Sequence, residues 1–298
     1  MKNAPVRHRV EYGCYLVFKG FLRALPHAAA RRVGVGLGAL GYHLDQGHRR
    51  VALRNLELAM PELDPKARRR LTAACFRHFG GALGDVISSS RFDLTELCRR
   101  FTYEGWEYLD EAASAGKGVL GLSAHLGYWE ASALPIGVYK ESLHVVGRPA
   151  DNPHLDRELV HLRERFGNQN VPKQRAVRKL LQVMAAGGWA GVLMDQRVQA
   201  REGISLPFFG QPALTTPILA KLSLRTGAPV LAMFAYPEPG GRYRFVAHPP
   251  IYPEGEGDEA VAALTTKYLA LIEREVRKRP EMWLWMHRRW EGRGRPDD

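Results

Sequence analysis

Beyond Phe101 the chain alternates short apolar runs with amphipathic stretches of helical period, and this alternation restricts its fold more than any other feature. The runs Gly118–Leu122, Leu143–Val146, Ala190–Met194, Pro229–Phe234 and Tyr243–Ala247 read as strands, with Ile204–Leu206 a shorter one. Between them, Asn152-Pro153 opens a helix carrying Leu155, Leu159, Leu162 and Phe166, closed by Gly167. Val177, Leu180, Leu181 and Met184 mark a second helix, closed by Gly187-Gly188, and Pro217 to Gly227 frames a third. Glu259 to Lys278 is a long helix with Val261, Leu264, Tyr268, Leu271 and Val276 near one face. Strands separated by helices predict an α/β fold with a mostly parallel central sheet flanked by helices.

The first hundred residues have a different texture. Two helical stretches over 11–45 are divided by Pro26, and the second is rich in glycine. A helix over Arg49–Met60 stops at Pro61, and Asp64-Pro65 opens another as N-cap and first-turn residue. Leu71, Ala74, Cys75, Phe79 and Leu83 are its expected buried stripe. Arginines crowd this part of the chain. The division expected is a basic, membrane-associating helical region over residues 1–100 and an α/β catalytic domain over 101–298.

The charge balance, 43 Lys and Arg against 31 Asp and Glu, is +12 and calls for an anionic partner. No helix-turn-helix, zinc or RNP signature accompanies it, so nucleic acid is not the expected one. No uninterrupted run of about 18 apolar residues is present, which leaves no secure transmembrane helix. Tyr12–Leu25 is apolar and aromatic but broken by Lys19 and Arg23, a composition suited to lying in a membrane interface. Cys14, Cys75 and Cys98 are far apart, which argues against a disulfide framework or a zinc site.

Candidate chemistry gathers where strands end. His125 follows the Gly118–Leu122 run directly, with Glu130 five residues on. Five residues of regular helix turn through about 140°, so the two side chains can cooperate only if His125 stands in the turn before the helix, which Gly127 permits. A carboxylate would fix one ring nitrogen as a donor and leave the other to accept a proton. Ser123, in Gly121-Leu-Ser123-Ala-His125, suggests a nucleophile elbow, but His125 stands where the second glycine should be. Arg148 and Asp195 leave two further strands. Arg148 could neutralise an oxyanion or phosphate, and Asp195 could hold a sugar hydroxyl or support His125. Phe208 and Phe209, in Pro207-Phe-Phe-Gly210, are candidates for an acyl-chain pocket. Trp283, Trp285 and Trp290 with Arg288 and Arg289 suit either a membrane interface or aromatic–cation packing.

Taken together these segments resemble the late acyltransferases of lipid A biosynthesis, the lauroyl and myristoyl transferase family of the lysophospholipid-acyltransferase-like superfamily, which also includes mycobacterial phosphatidylinositol mannoside acyltransferases. The resemblance rests on Arg49-Arg-Val-Ala-Leu-Arg-Asn-Leu-Glu-Leu-Ala-Met-Pro61, on His125 and Glu130 as an H-x4-E motif, on Arg148-Pro-Ala-Asp-Asn-Pro153, Asp195-Gln196, Gly203-Ile-Ser-Leu-Pro-Phe-Phe-Gly210 and Trp283-Leu-Trp-Met-His-Arg-Arg-Trp290. It implies a glycerolipid-acyltransferase-like fold at the inner membrane, with its active site on the cytoplasmic face. The implied donor is an acyl carrier protein or coenzyme A thioester, with no metal or other cofactor. The implied acceptor is a lipid A precursor or related glycolipid, or alternatively a phospholipid or mannosylated inositide. His125 would be the general base and Glu130 its catalytic partner, with Arg148, Asp195, Gln196, Phe208 and Phe209 binding substrate.

Overall fold

The computed structural model describes residues 4–139, 142–165, 167–173 and 176–290. Phe166, expected in the helix after Asn152, lies outside them. Four helices come first: α1 (Ala4–Ala24), α2 (His27–Leu44), α3 (Gln46–Ala59) and α4 (Pro65–Ser89). Asp64 caps α4 as its sequence predicts, its Oδ1 accepting from Ala67 N at 2.7 Å, with Pro65 in the first turn. The short α5 (Leu94–Cys98) leads into the sheet.

Seven strands form that sheet: β1 (Phe101–Glu104), β2 (Val119–Ser123), β3 (Leu143–Gly147), β4 (Gln169–Pro172), β5 (Trp189–Leu193), β8 (Val230–Glu238) and β9 (Arg242–Ala247). Their order is β1-β9-β8-β2-β5-β3-β4, and every pair is parallel except the β8–β9 hairpin. Helices α6 (Glu107–Ser114), α7 (Trp129–Ser132), α8 (Leu134–Tyr139), α9 (Pro153–Glu164), α10 (Ala176–Ala185), α11 (Ile218–Thr226) and α12 (Gly257–Lys278) connect and cover it. A separate antiparallel hairpin, β6 (Ile204–Phe208) with β7 (Gln211–Thr215), stands beside the sheet. Strands β2, β5 and β8 are buried almost throughout, which explains why their sequences are continuous apolar runs. Strands β1, β4 and β7 carry too few apolar residues to stand out in the sequence.

The core continues across the expected boundary at residue 100. Ala52, Leu56, Ala59 and Cys75 from α3 and α4 pack in the same cluster as Leu120, Ala190 and Phe234 of the strands. The expected stripe on α4 needs correction: Leu83 is 48% exposed, while Thr72, Cys75, Phe76 and Ala82 are buried. The face that turns inward is chosen by α2. There Gly34 and Gly38 meet Gly80, Gly84 and the Phe76 carbonyl, so closely that a Cβ on Gly38 would lie 2.1 Å from Phe76 O. Val177, expected on the apolar side of α10, is also exposed. Among the described residues, no helix is long and apolar enough to cross a membrane.

Candidate active site

Strands β2 and β5 are parallel neighbours, with Ser123 opposite Leu193. Two residues beyond that pair come His125 and Asp195, so the register alone delivers them side by side at the carboxyl edge of the sheet, where α/β sites form. His125 stands in the turn between β2 and α7. Gly127 makes that turn possible: its φ is +65°, and a Cβ there would lie 2.3 Å from Ala235 O. The turn is pinned from outside by Gly127 N donating to Met282 O at 3.0 Å and by His78 Nε2 on Gly127 O at 3.0 Å.

Asp195 is 1% exposed. One oxygen, Oδ1, lies 2.8 Å from His125 Nδ1. The other, Oδ2, accepts from His125 N at 2.9 Å and from Trp283 Nε1 at 2.8 Å. Burial alone would push the carboxyl pKa up, but the imidazole's charge and these three N–H groups override it and hold Asp195 below the usual carboxylate range. For His125 the balance is the mirror image. Burial pulls the imidazole down, and the charge and hydrogen bond of Asp195, helped by the charge of Glu130, carry it above its ordinary value. An ionised Asp195 fixes the Nδ1 proton and leaves Nε2 as the acceptor nitrogen. Gln196 Nε2 lies 3.2 Å from it.

The carboxylate that orients His125 is therefore Asp195 and not Glu130. Residue 130 falls in the first turn of α7, so its side chain points across to α9. There Arg163 grips it with two bonds, Nη2 to Oε1 at 2.6 Å and Nε to Oε2 at 2.9 Å, and Trp129 Nε1 adds a third at 3.1 Å. The pair remains close to the histidine, because the Trp129 ring lies 5.4 Å from the His125 ring. Beneath Trp129 is a narrow pocket of about 50 Å³, room for one or two waters. Its walls are largely apolar, with Leu143 and Met233 facing the paired glycines Gly121 and Gly191.

Other expected residues are placed differently. Arg148 leaves β3 at the same edge, but its side chain is 79% exposed and pairs with Asp151 at 3.2 Å, a solvated ion pair apart from the dyad. Phe208 and Phe209 are 0% and 4% exposed and do not line the pocket. They pack on Trp283, Trp285 and Trp290, with ring centroids from 5.7 to 6.2 Å apart. The bend at Phe209, φ +52°, is held by its N–H donating to Glu273 Oε2 at 2.7 Å. Trp283 and Trp285 are 1% and 0% exposed, so they form this cluster and present no face to a membrane. Ser123 Oγ donates to Met233 O at 2.7 Å, which gives no support to an elbow nucleophile.

Three residues have roles at the site that the sequence does not indicate, although Trp283 and Arg289 stand in the aromatic–basic segment it singles out. Trp283 is the third donor to Asp195. Arg163 clamps Glu130. Arg289, 0% exposed, donates to Leu214 O and Thr215 Oγ1, and burial lowers its pKa to about 10 although the charge of Asp195 works against that. Among the described residues no group of three or more His, Cys, Asp or Glu side chains converges as a metal site would require. What the arrangement can do is take a proton: a buried carboxylate, an oriented imidazole and a ring nitrogen turned to the sheet edge are the parts of a general base.

A model described as bacterial lipid A biosynthesis acyltransferase matches residues 2–292. The chain belongs to that family. It is an acyltransferase. The lipid A biosynthesis lauroyltransferase of Escherichia coli (strain K12) is 25% identical over 90% of this chain and 87% of the relative. A lipid A biosynthesis acyltransferase of Haemophilus influenzae is 26% identical over 92% and 87%. The phosphatidylinositol mannoside acyltransferase of Mycobacterium tuberculosis is 24% identical over 74% and 70%. In this acyltransferase the H-x4-E residues His125 and Glu130 are thus split between two carboxylate partnerships, His125 with Asp195 and Glu130 with Arg163.

Proposed function

We propose that this acyltransferase moves a fatty acyl chain from an acyl carrier protein or coenzyme A thioester to a hydroxyl of a lipid A precursor or related glycolipid, with His125 as general base. The observation that carries the reading is the Asp195 carboxylate, buried and met by three N–H groups, two of them from His125. His125 Nε2 takes the proton of the acceptor hydroxyl as its oxygen attacks the thioester carbonyl. The C–S bond breaks, and the imidazolium returns the proton to the leaving thiolate. Base action of this kind contributes roughly 10²–10⁴-fold in rate. No metal or further cofactor enters these steps.

Gln196 occupies the position in front of Nε2, so an incoming hydroxyl has to displace its amide, which is then placed to donate to the developing oxyanion. Glu130 and Arg163 act at the rim, Glu130 by its charge on His125 and Arg163 by holding Glu130. The apolar pocket under Trp129 suits the start of a fatty chain and has to widen to take more of one. The names of two relatives specify lipid A biosynthesis and that of the third a mannosylated inositide, so a phosphorylated glycolipid is the favoured acceptor class. The basic N-terminal helices supply the means to work at the cytoplasmic face of the inner membrane.

The test is direct. Purified protein is given an acyl carrier protein or coenzyme A thioester and a phosphorylated lipid A precursor, and the lipid is followed by mass spectrometry. One acyl chain is gained with the natural protein and none with His125→Ala. Undiminished transfer by His125→Ala would refute the mechanism.

A further inference from the structure

Helix α9 is amphipathic, yet none of its described residues is buried. Its leucines Leu155, Leu159 and Leu162 face a groove of about 430 Å³ between α1, α4 and α9. The groove's opposite wall includes Leu83, the α4 leucine that the sequence places in the core and the structure leaves half exposed. This volume lies in the ~300–1,000 Å³ range of ordinary ligand sites. An apolar floor that the fold itself does not cover is the first half of a lipid site.

The second half is the rim. Arg23 of α1 and Arg165, just past α9, both border the groove. Burial lowers the Arg165 pKa, and the nearby charge of Arg23 lowers it further. Arg165 is fixed in place by donating to the carbonyls of Ser89 and Phe92. The acidic lining residue, Glu158, is already engaged by Lys19 and by Tyr12 Oη at 3.0 Å. Two arginines on the border of one leucine-lined groove match a phosphate carried on an acyl chain.

The groove is tied to the chemistry through α4. Leu83 is one turn of α4, about 6 Å, beyond Phe79, whose ring lies 5.8 Å from that of Trp129, the neighbour of His125. At the end of α9, Arg163 lines the pocket beside Trp129 and Glu130, while Leu162 and, just past the helix, Arg165 line the groove. We infer that the groove between α1, α4 and α9 is the seat of the acceptor lipid, its phosphate held by Arg23 and Arg165 and its acyl chain along Leu83, Leu155 and Leu159. This rests on the function proposed above and adds the acceptor's place and its anionic requirement.

The experiment uses the full chain and detergent-dispersed lipid, so that attraction to a bilayer plays no part. A phosphorylated lipid A precursor and the same lipid after dephosphorylation are compared with the natural protein, Arg23→Glu and Leu83→Glu, both positions being surface-exposed. Equilibrium binding and steady-state transfer are both read. Arg23→Glu should weaken binding of the phosphorylated lipid and raise its KM by about tenfold or more, leaving the dephosphorylated lipid and the donor KM unchanged. Leu83→Glu should weaken both lipids. Unchanged acceptor binding in both variants overturns the assignment, and so does an Arg23→Glu effect equal for the two lipids. If the natural protein transfers nothing, the proposed function fails, and the binding comparison still decides the groove.

Discussion

Asp195 carries the argument at the scale of single residues. An ionised carboxylate removed from water costs several kcal/mol unless donors replace the lost hydration, and here three N–H groups do so. Two come from His125 itself, so the groups that keep Asp195 charged also orient the imidazole. The third comes from Trp283, whose ring is locked by Phe208 and Phe209. Those phenylalanines thus reach the site through Trp283 and Asp195 and not through an acyl pocket. His125 and Asp195 were both legible in the sequence as strand-exit residues. Which carboxylate orients the ring was not, because the choice between Glu130 and Asp195 depends on the pairing of β2 with β5, and pairing is a long-range fact. Arg163 was hidden for a similar reason: on an amphipathic helix rich in charge, nothing marks the one arginine that turns toward α7. Arg148 shows the converse, a residue well placed along the chain whose side chain goes to solvent.

At the scale of elements, the contact between α2 and α4 decides how the N-terminal region meets the sheet. The glycine-rich composition of α2 is plain in the sequence, and the structure supplies its purpose, a backbone approach too close for side chains. A Cβ on Gly38 would lie 2.1 Å from Phe76 O, whereas one on Gly36 meets nothing within 4 Å. Gly38→Ala is therefore expected to lower stability by about 1–3 kcal/mol through overpacking. Gly36→Ala should leave stability unchanged or raise it by up to about 1 kcal/mol through helix propensity. Denaturant midpoints check both, and equal midpoints for the two variants would contradict the packing account. The long helices and apolar strands were legible because burial writes their period into the chain. The short polar strands β1, β4 and β7 were not, since the neighbouring strands hold them in place and their own composition does little.

At the scale of the molecule, a net charge of +12 and an exposed apolar stripe on α1 act together. Val10, Val17 and Phe21 on that stripe are 60%, 76% and 52% exposed. Each Lys or Arg close to an anionic bilayer contributes on the order of 1 kcal/mol. The protein is expected to float with vesicles containing phosphatidylglycerol, to float less with neutral phosphatidylcholine, and to be partly released by salt. Val17→Asp should weaken the association, and failure to float with either vesicle would contradict a membrane-surface enzyme. In the proposed mechanism these parts serve one proton transfer, and its pH dependence is the sharpest test. As the proposed base, His125 must be neutral to act, and its pKa is held above the ordinary 6.5, so kcat/KM should rise with pH through a midpoint above that value. Asp195→Asn removes the carboxylate's charge and leaves burial, which acts in the opposite direction. The midpoint should then fall, with the plateau lower by roughly 10²–10⁴-fold. A profile of Asp195→Asn matching the natural protein in both midpoint and height would contradict the account.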